Sequence, residues 1–355
     1  MKISCKQFEL ELKHPFSISK FTRTSTPLLL IKLDYEGFTG YGEASMVPYM
    51  GESHTTAAAF LAKVDFSRFQ HPFNFAEIHA YLDEIEKGNP AVKAAIDIAL
   101  NDLNGKILNQ PCAIIYGADK NKMPITSYTL GIDTPEVLKE KVADAKGFKV
   151  LKIKLGRDND KELIQTIRSV SDLPLYVDAN QGWSFDDALF ALSELADQNI
   201  EFCEQPMRKY YDDYLPALCA ASPIAIMADE SVFTHHDARR LIATKSCHSI
   251  NIKFSKSGGI HEAIKIHAIA KANNIPCMMG GMLESRLALS AKMHFAMAMD
   301  NVKYYDMDTC LLGHLEDPII GGVQFNGMHL SISDTPGIGA EVDPAYLAKL
   351  DHFTV

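Results

Sequence analysis

Residues 151–156 read LKIKLG, in which Leu151, Ile153 and Leu155 alternate with Lys152 and Lys154. Alternation of period two marks a β-strand, and it sends both ammonium groups to one face. Taken alone, the stretch suits an edge strand that shows its lysines to water, a common guard against edge-to-edge pairing. Its neighbours along the chain change that reading. LYVDAN, IEFCEQP, IAIMADE and SINIKF are further short apolar runs, each followed by a stretch of helical period: SFDDALFALSELADQ, YDDYLPALCAAS, HHDARRLIAT and GGIHEAIKIHAIAKANN. Strands and helices in alternation predict a parallel sheet.

One residue marks the carboxyl end of each run: Thr129, Lys154, Asp178, Glu204, Asp229, Lys253, the Gly280 and Gly281 pair, and Asp306, at steps of 24 to 28 residues. Eight marks at nearly even steps predict eight βα units, which close as a (β/α)8 TIM-type barrel with its active site at the carboxyl ends of the strands. A single Asp or Glu after a strand is often only a turn former or helix cap. Here three carboxylates on successive strands, Asp178, Glu204 and Asp229, are flanked by Lys154 on the strand before and Lys253 on the strand after. Gathered in one mouth, these groups call for a divalent cation. Oxygen-only ligation suits Mg²⁺ better than zinc and leaves coordination positions open. His235 and His236 fall in the first turn of a predicted helix and read as surface or capping residues. His14, His248, His261 and His267 recur at no strand end.

Composition sets outer bounds. With 355 residues, 47% hydrophobic and 23% charged, the chain can bury one large core or two ordinary ones. MKISCKQFELELKHPF carries no secretory signal and no run long enough to span a bilayer, so a cytoplasmic protein without membrane partners is expected. The seven cysteines, Cys5, Cys112, Cys203, Cys219, Cys247, Cys277 and Cys310, form no CxxC pair and read as reduced thiols. A formal net charge of −10 argues against nucleic acid as a partner.

LKIKLG, VDANQGW, CEQP, MADESVF and NIKFSKSGGI, in this order, resemble the muconate lactonizing enzyme subgroup of the enolase superfamily. The resemblance runs from about Thr129 to Asp308. It implies Mg²⁺ on Asp178, Glu204 and Asp229, with Lys154 and Lys253 as acid/base residues on opposite faces of the substrate, the lysine and enediolate pattern of that superfamily. Lys152 is expected at the substrate oxyanion, where charge develops, and Lys256 is expected to support the site. An N-terminal α+β capping domain is also implied, over residues 1–122, with the barrel over 123–325 and a C-terminal segment, 326–355, returning to complete the cap.

The subgroup includes cycloisomerases, o-succinylbenzoate synthases, N-acylamino acid racemases and dipeptide epimerases, and the last strand separates them. YYDMDTC sets Asp306 and Asp308 two apart, so both carboxylates face the barrel mouth. A paired anion suits a substrate ammonium and repels dianions, and Asp-x-Asp there resembles the dipeptide epimerases. The expected reaction is 1,1-proton transfer at the α-carbon of the C-terminal residue of an L-Ala-L-Xaa dipeptide. Thr129, Gly281, Met282 and Leu283 are expected to line the substrate site. Specificity is expected from the capping loops SISKFTRTST (17–26) and SMVPYMGESH (45–54). Arg23 resembles the arginine that pairs with a glutamate side chain in Ala-Glu epimerases, while Met46, Val47, Tyr49 and Met50 suit an apolar one. An N-acylamino acid racemase or o-succinylbenzoate synthase, a non-catalytic Mg²⁺-dependent binding protein and a Schiff-base aldolase remain as alternatives. A homo-oligomer is expected.

Overall fold

The computed structural model describes the chain except for residues 20, 48, 49, 119–121, 310–312, 351, 352 and 355, and gives the backbone alone at 14, 353 and 354. Tyr49 and Cys310 therefore lie outside the described residues, as does the side chain of His14. Strands β1 (Lys2–Ser17), β2 (Thr22–Tyr35) and β3 (Phe38–Ser45) are antiparallel neighbours, and Phe353–Thr354 adds a strand beside β1. Helices α1 (His54–Leu61), α2 (Phe75–Ile85) and α3 (Pro90–Ile107) follow. Leu29, Ile31 and Leu33 pack toward these helices, while Leu28 and Leu30 join the core that continues into the barrel. A sheet covered on both faces explains why Leu28 to Ile31 is continuously apolar rather than alternating.

Helix α3 lies between the sheet and the barrel and is buried on nearly every side, as a helix in that position must be. Its polar residues are tied to what surrounds them. Asp102 accepts from Tyr41 N of β3 and from Ile338 N of the C-terminal segment, both at 2.9 Å. Asp97 accepts from Ile260 N at 2.5 Å, at the start of a barrel helix, and meets His79 Nε2 at 2.6 Å. The close packing rests on glycines two apart on one strand face. A Cβ on Gly40 would meet Ala99 O at 2.2 Å, and one on Gly42 would meet Ala95 O at 1.9 Å.

The barrel strands are β4 (Tyr128–Leu130), β5 (Leu151–Lys154), β6 (Leu175–Asp178), β7 (Ile200–Glu204), β8 (Ile226–Ala228), β9 (Ser249–Ile252), β10 (Cys277–Gly280) and β11 (Val302–Asp306). They pair in parallel in sequence order. LKIK is thus an interior strand, all four residues buried between β4 and β6, and the edge-strand reading of the stretch taken alone does not hold. At the seam Ser127 N donates to Tyr305 O at 3.0 Å. The inward positions follow the period of two. Val150, Tyr176, Phe202, Met227 and Met278 form an apolar plug, with Tyr176 and Phe202 stacked at 4.3 Å. Two residues further along their strands come Lys152, Asp178, Glu204 and Asp229, so the plug gives way abruptly to charge.

The six described cysteines are buried and no disulfide joins them to one another, and among the described residues no helix is long and apolar enough to cross a membrane. Gly42→Ala is expected to cost about 3 kcal/mol, because neither the β3 nor the α3 backbone can retreat from the other. Urea denaturation checks this, and a loss below about 1 kcal/mol contradicts the packing argument.

Candidate active site

The register of the strands brings the predicted residues together. Lys154 pairs with Asp178 and Asp178 with Glu204 across neighbouring strands, and alternation turns all three inward. Lys154 Nζ lies 2.6 Å from Asp178 Oδ2, and Lys253 Nζ lies 2.8 Å from Asp229 Oδ2. Strands β5 and β9 stand four places apart in a sheet of eight, so the two lysines face each other across the barrel. The carboxylates of β6, β7 and β8 occupy the arc between them. Asp306, at the end of β11, stands four places from β7, on the opposite arc.

Lys152 does not reach the cleft wall, where substrate contact was expected. Its side chain is fully buried beneath the mouth, with Nζ 2.6 Å from both Glu204 Oε2 and Asp306 Oδ2 and 3.5 Å from Asp178 Oδ2. Period two still aims it inward, but it stands one layer below Lys154, so its charge reaches the cleft through these carboxylates. Burial alone would pull its pKa down; Asp306, Glu204 and Asp178 hold the ammonium well above the usual range. Burial opposes ionisation of Asp178 too, and Lys154 and Lys152 overcome it to keep that carboxyl low. Glu204, desolvated beside Asp178, is pushed up to about 7.

Above this layer lies a cleft of about 610 Å³ including its mouth. Lys154, Lys253, Thr129, Gly281, Met282, Leu283, Asp306, Asp308 and Arg23 all line it. Asp308 has a second task at the seam: its carboxylate accepts from Thr129 N at 2.5 Å and from Thr129 Oγ1 at 3.1 Å. Burial and Asp306 push its carboxyl up to about 7. From the capping loops, Phe16, Ile18, Phe21 and Val47 line the cleft, and the Arg23 guanidinium sits 5.0 Å over the Phe21 ring. Met46 packs instead in the cap core and Met50 borders a different cleft. Neither lines the cleft that holds Lys154 and Lys253. His235 opens a helix capped by Thr234 and meets Glu262 at 2.5 Å, as a capping position does.

Several site residues were not singled out from the sequence. Asn180 lines the cleft and donates through N to Asp178 Oδ1 at 2.9 Å. Asn251 Nδ2 donates to Glu204 Oε1 at 2.6 Å, and Gln205 Oε1 accepts from Asp229 N and Ser231 N at 2.9 and 3.1 Å. Glu230 is buried and pushed up to about 8 by desolvation and by Asp229 and Asp178. The period of two was the available signal for Asn180 and Asn251, which stand two residues from Asp178 and Lys253. Lys256 supports the site as expected, its Nζ 2.5 Å from both Asp229 Oδ1 and Asp229 O.

The donor set fits a hard divalent cation. Six buried carboxylates (Asp178, Glu204, Asp229, Glu230, Asp306, Asp308) face four buried ammonium groups (Lys152, Lys154, Lys253, Lys256), an excess of two negative charges when all are ionised. Buried Asn180 Oδ1 and Asn251 Oδ1 receive no hydrogen bond, and Glu204 Oε2 and Asp229 Oδ1 are met only by ammonium contacts outside hydrogen-bond geometry. Among the described residues no three acidic, histidine or cysteine side chains already converge as a finished cage. The lysine ammonium groups stand between the carboxylates instead.

Comparison with known proteins agrees with this architecture. Residues 136–346 match the family model Enolase C-terminal domain-like, and residues 2–117 match Mandelate racemase / muconate lactonizing enzyme, N-terminal domain. An L-Ala-D/L-Glu epimerase of Bacteroides thetaiotaomicron is 42% identical over 343 residues, covering 96% of this chain and 87% of that protein. An N-succinyl-L-Arg/Lys racemase of Bacillus cereus is 32% identical over 364 residues, covering 97% and 95%. The crystal structure of a dipeptide epimerase from Cytophaga hutchinsonii complexed with Mg and D-Ala-L-Val is 34% identical, covers 100% of this chain and 99% of that one, and superposes with a TM-score of 0.94. Similarity that runs through cap and barrel alike makes this chain a member of the enolase superfamily, in its mandelate racemase and muconate lactonizing enzyme branch.

Proposed function

We propose that this protein is a Mg²⁺-dependent dipeptide epimerase, an isomerase that moves a proton at the α-carbon of the C-terminal residue of an L-Ala-L-Xaa dipeptide. The observation that carries the reading is that Lys154 and Lys253, on opposed strands, line the same cleft as Asp306 and Asp308. A dipeptide laid between the carboxylate arc of β6 to β8 and the arc of β11 has its α-carbon between the two lysines. Asp178, Glu204 and Asp229 would hold Mg²⁺, which when bound would supply positive charge at the substrate carboxylate as the α-proton leaves. One lysine takes the α-proton from one face, and the other returns a proton to the opposite face. Asp306 and Asp308 take the ammonium group, and Lys152 keeps Glu204 and Asp306 in place from beneath. Phe16, Ile18, Phe21, Val47 and the Arg23 guanidinium border the C-terminal side chain.

We also infer a capping unit of residues 1–122 with the 326–355 return, around a barrel of 123–325. The bonds from Asp102 to Ile338 and from Cys112 N to Gly337 O, 2.8 Å, support that division. Six buried cysteines with no disulfide among them support a cytoplasmic setting, and the exposed, neighbouring rings of Tyr210, Tyr211 and Tyr214 support a homo-oligomer.

Proton NMR in D₂O with Mg²⁺ and a panel of L-Ala-L-Xaa dipeptides tests the function. Some C-terminal α-protons are expected to wash out as new diastereomer signals grow, and the responding members define the side chain. Exchange of N-acylamino acids alone contradicts the dipeptide reading, and no exchange at all favours a binding protein. Lys154→Ala and Lys253→Ala are each expected to lower epimerisation about 10³-fold, while each keeps deuterium wash-in for the one isomer whose α-proton faces the remaining lysine. Borohydride trapping on either lysine would instead favour Schiff-base chemistry. In Asp308→Asn the amide oxygen can still accept from Thr129 and the Lys152–Asp306 pair is untouched, so melting should hold while dipeptide kcat/KM falls about tenfold and any acyl-substrate turnover persists. EDTA treatment is expected to abolish exchange, and added Mg²⁺ to restore it and raise Tm.

A further inference from the structure

The wall of the cleft formed by Gly281, Met282 and Leu283 belongs to the barrel, yet the cap holds it. Strand β3 reaches across at its carboxyl end. Ser45 Oγ donates to Leu283 O at 2.8 Å. Glu43 Oε1 accepts from Ser285 N at 2.9 Å, and its Oε2 accepts from Ser285 Oγ. Both cap residues are about 1% exposed, so water cannot replace these partners. At the other end of the segment Gly281 N donates to the main-chain oxygen of Asp306 at 2.6 Å. The wall is therefore pinned at one end to the strand that carries the ammonium-binding carboxylates and at the other to the cap.

We propose that Glu43 and Ser45 are positioning residues for substrate binding: they set the Gly281–Leu283 wall, so that docking of the cap strand and affinity for the dipeptide are one event. The inference rests on the epimerase reading for the identity of the substrate, but the clamp itself does not. Burial pushes the Glu43 carboxyl up to about 8, against the bonds from Ser285 that favour its ionised form. Glutamine, which keeps the shape of the side chain and an acceptor oxygen, is its nearest replacement.

Hydrogen–deuterium exchange of the 281–285 amides, read beside steady-state kinetics, tests the clamp in the full-length enzyme with Mg²⁺. Ser45→Ala and Glu43→Ala are each expected to speed exchange of this segment about tenfold while β5 to β7 stay protected, and to raise KM about tenfold with kcat within about threefold. Glu43→Gln, which can accept from Ser285 N and donate to its hydroxyl, should behave as wild type in both measurements. Unchanged exchange at 281–285, an unchanged KM in a loosened loop, or a Gln variant as impaired as the Ala variant each overturns the proposal. Should Glu43→Ala fail to fold, Ser45→Ala, which removes one hydroxyl, decides. If wild-type protein turns over no dipeptide, the epimerase reading fails separately, and the exchange data still decide whether the cap holds the wall.

Discussion

The ammonium of Lys152 is the interaction on which this molecule turns. It reaches the barrel axis and meets Glu204 on β7 and Asp306 on β11, strands on opposite arcs of the ring, with Asp178 close by. A lone buried ammonium would be prohibitively costly, and so would three carboxylates left without it. Together they form a floor whose members fix one another's orientation. The groups proposed for catalysis stand on that floor: Lys154 and Lys253 above it at the flanks, and the carboxylates of β6 to β8 on one arc. The buried carboxylates still outnumber the ammonium groups, which is the physical reason the site suits a divalent cation.

The barrel alone leaves the mouth open, and the cap completes it in two ways. Phe16, Ile18, Phe21 and Val47 bring apolar surface to a mouth otherwise made of charge. Contacts across the junction are polar and directed: Ser19 Oγ donates to Asn180 O at 3.2 Å and Arg157 Nη2 to Ile18 O at 2.8 Å. Helix α3 transmits the same union at the back, where Asp97 caps a barrel helix and Asp102 joins β3 to the C-terminal segment. Cap and barrel are thus joined by buried and half-buried hydrogen bonds, which tolerate little sliding.

Much of the barrel was legible because βα units of nearly constant length leave a regular mark, and because a period of two dictates which side chains point inward. The same rule assigned Lys154, Asp178, Glu204, Asp229 and Lys253 to one mouth. It was silent on depth. LKIKLG turns Lys152 and Lys154 to the same side, about 7 Å apart along one strand, but only the closing of the sheet makes the lower layer a floor and the upper one a cleft wall. Met46 and Met50 show a similar limit: the loop that carries them reads as apolar, yet only Val47 of the three turns toward the site. Asn180, Asn251 and Gln205 escaped notice because an amide has no chemistry of its own at a strand end, and its importance comes from the carboxylate or backbone it touches.

By itself, then, the sequence determined the eightfold alternation, the inward face of each strand and the chemical identity of the groups brought together, since all three follow from local periodicity and residue type. The closed ring decided the rest. It set which lysine faces which, the distance from each ammonium to its carboxylate, and the contact between Ser45 and Leu283, residues 238 positions apart. Such contacts depend on strand register, tilt and the docking of the cap, and no local pattern encodes them because the partners meet only when the whole chain has closed.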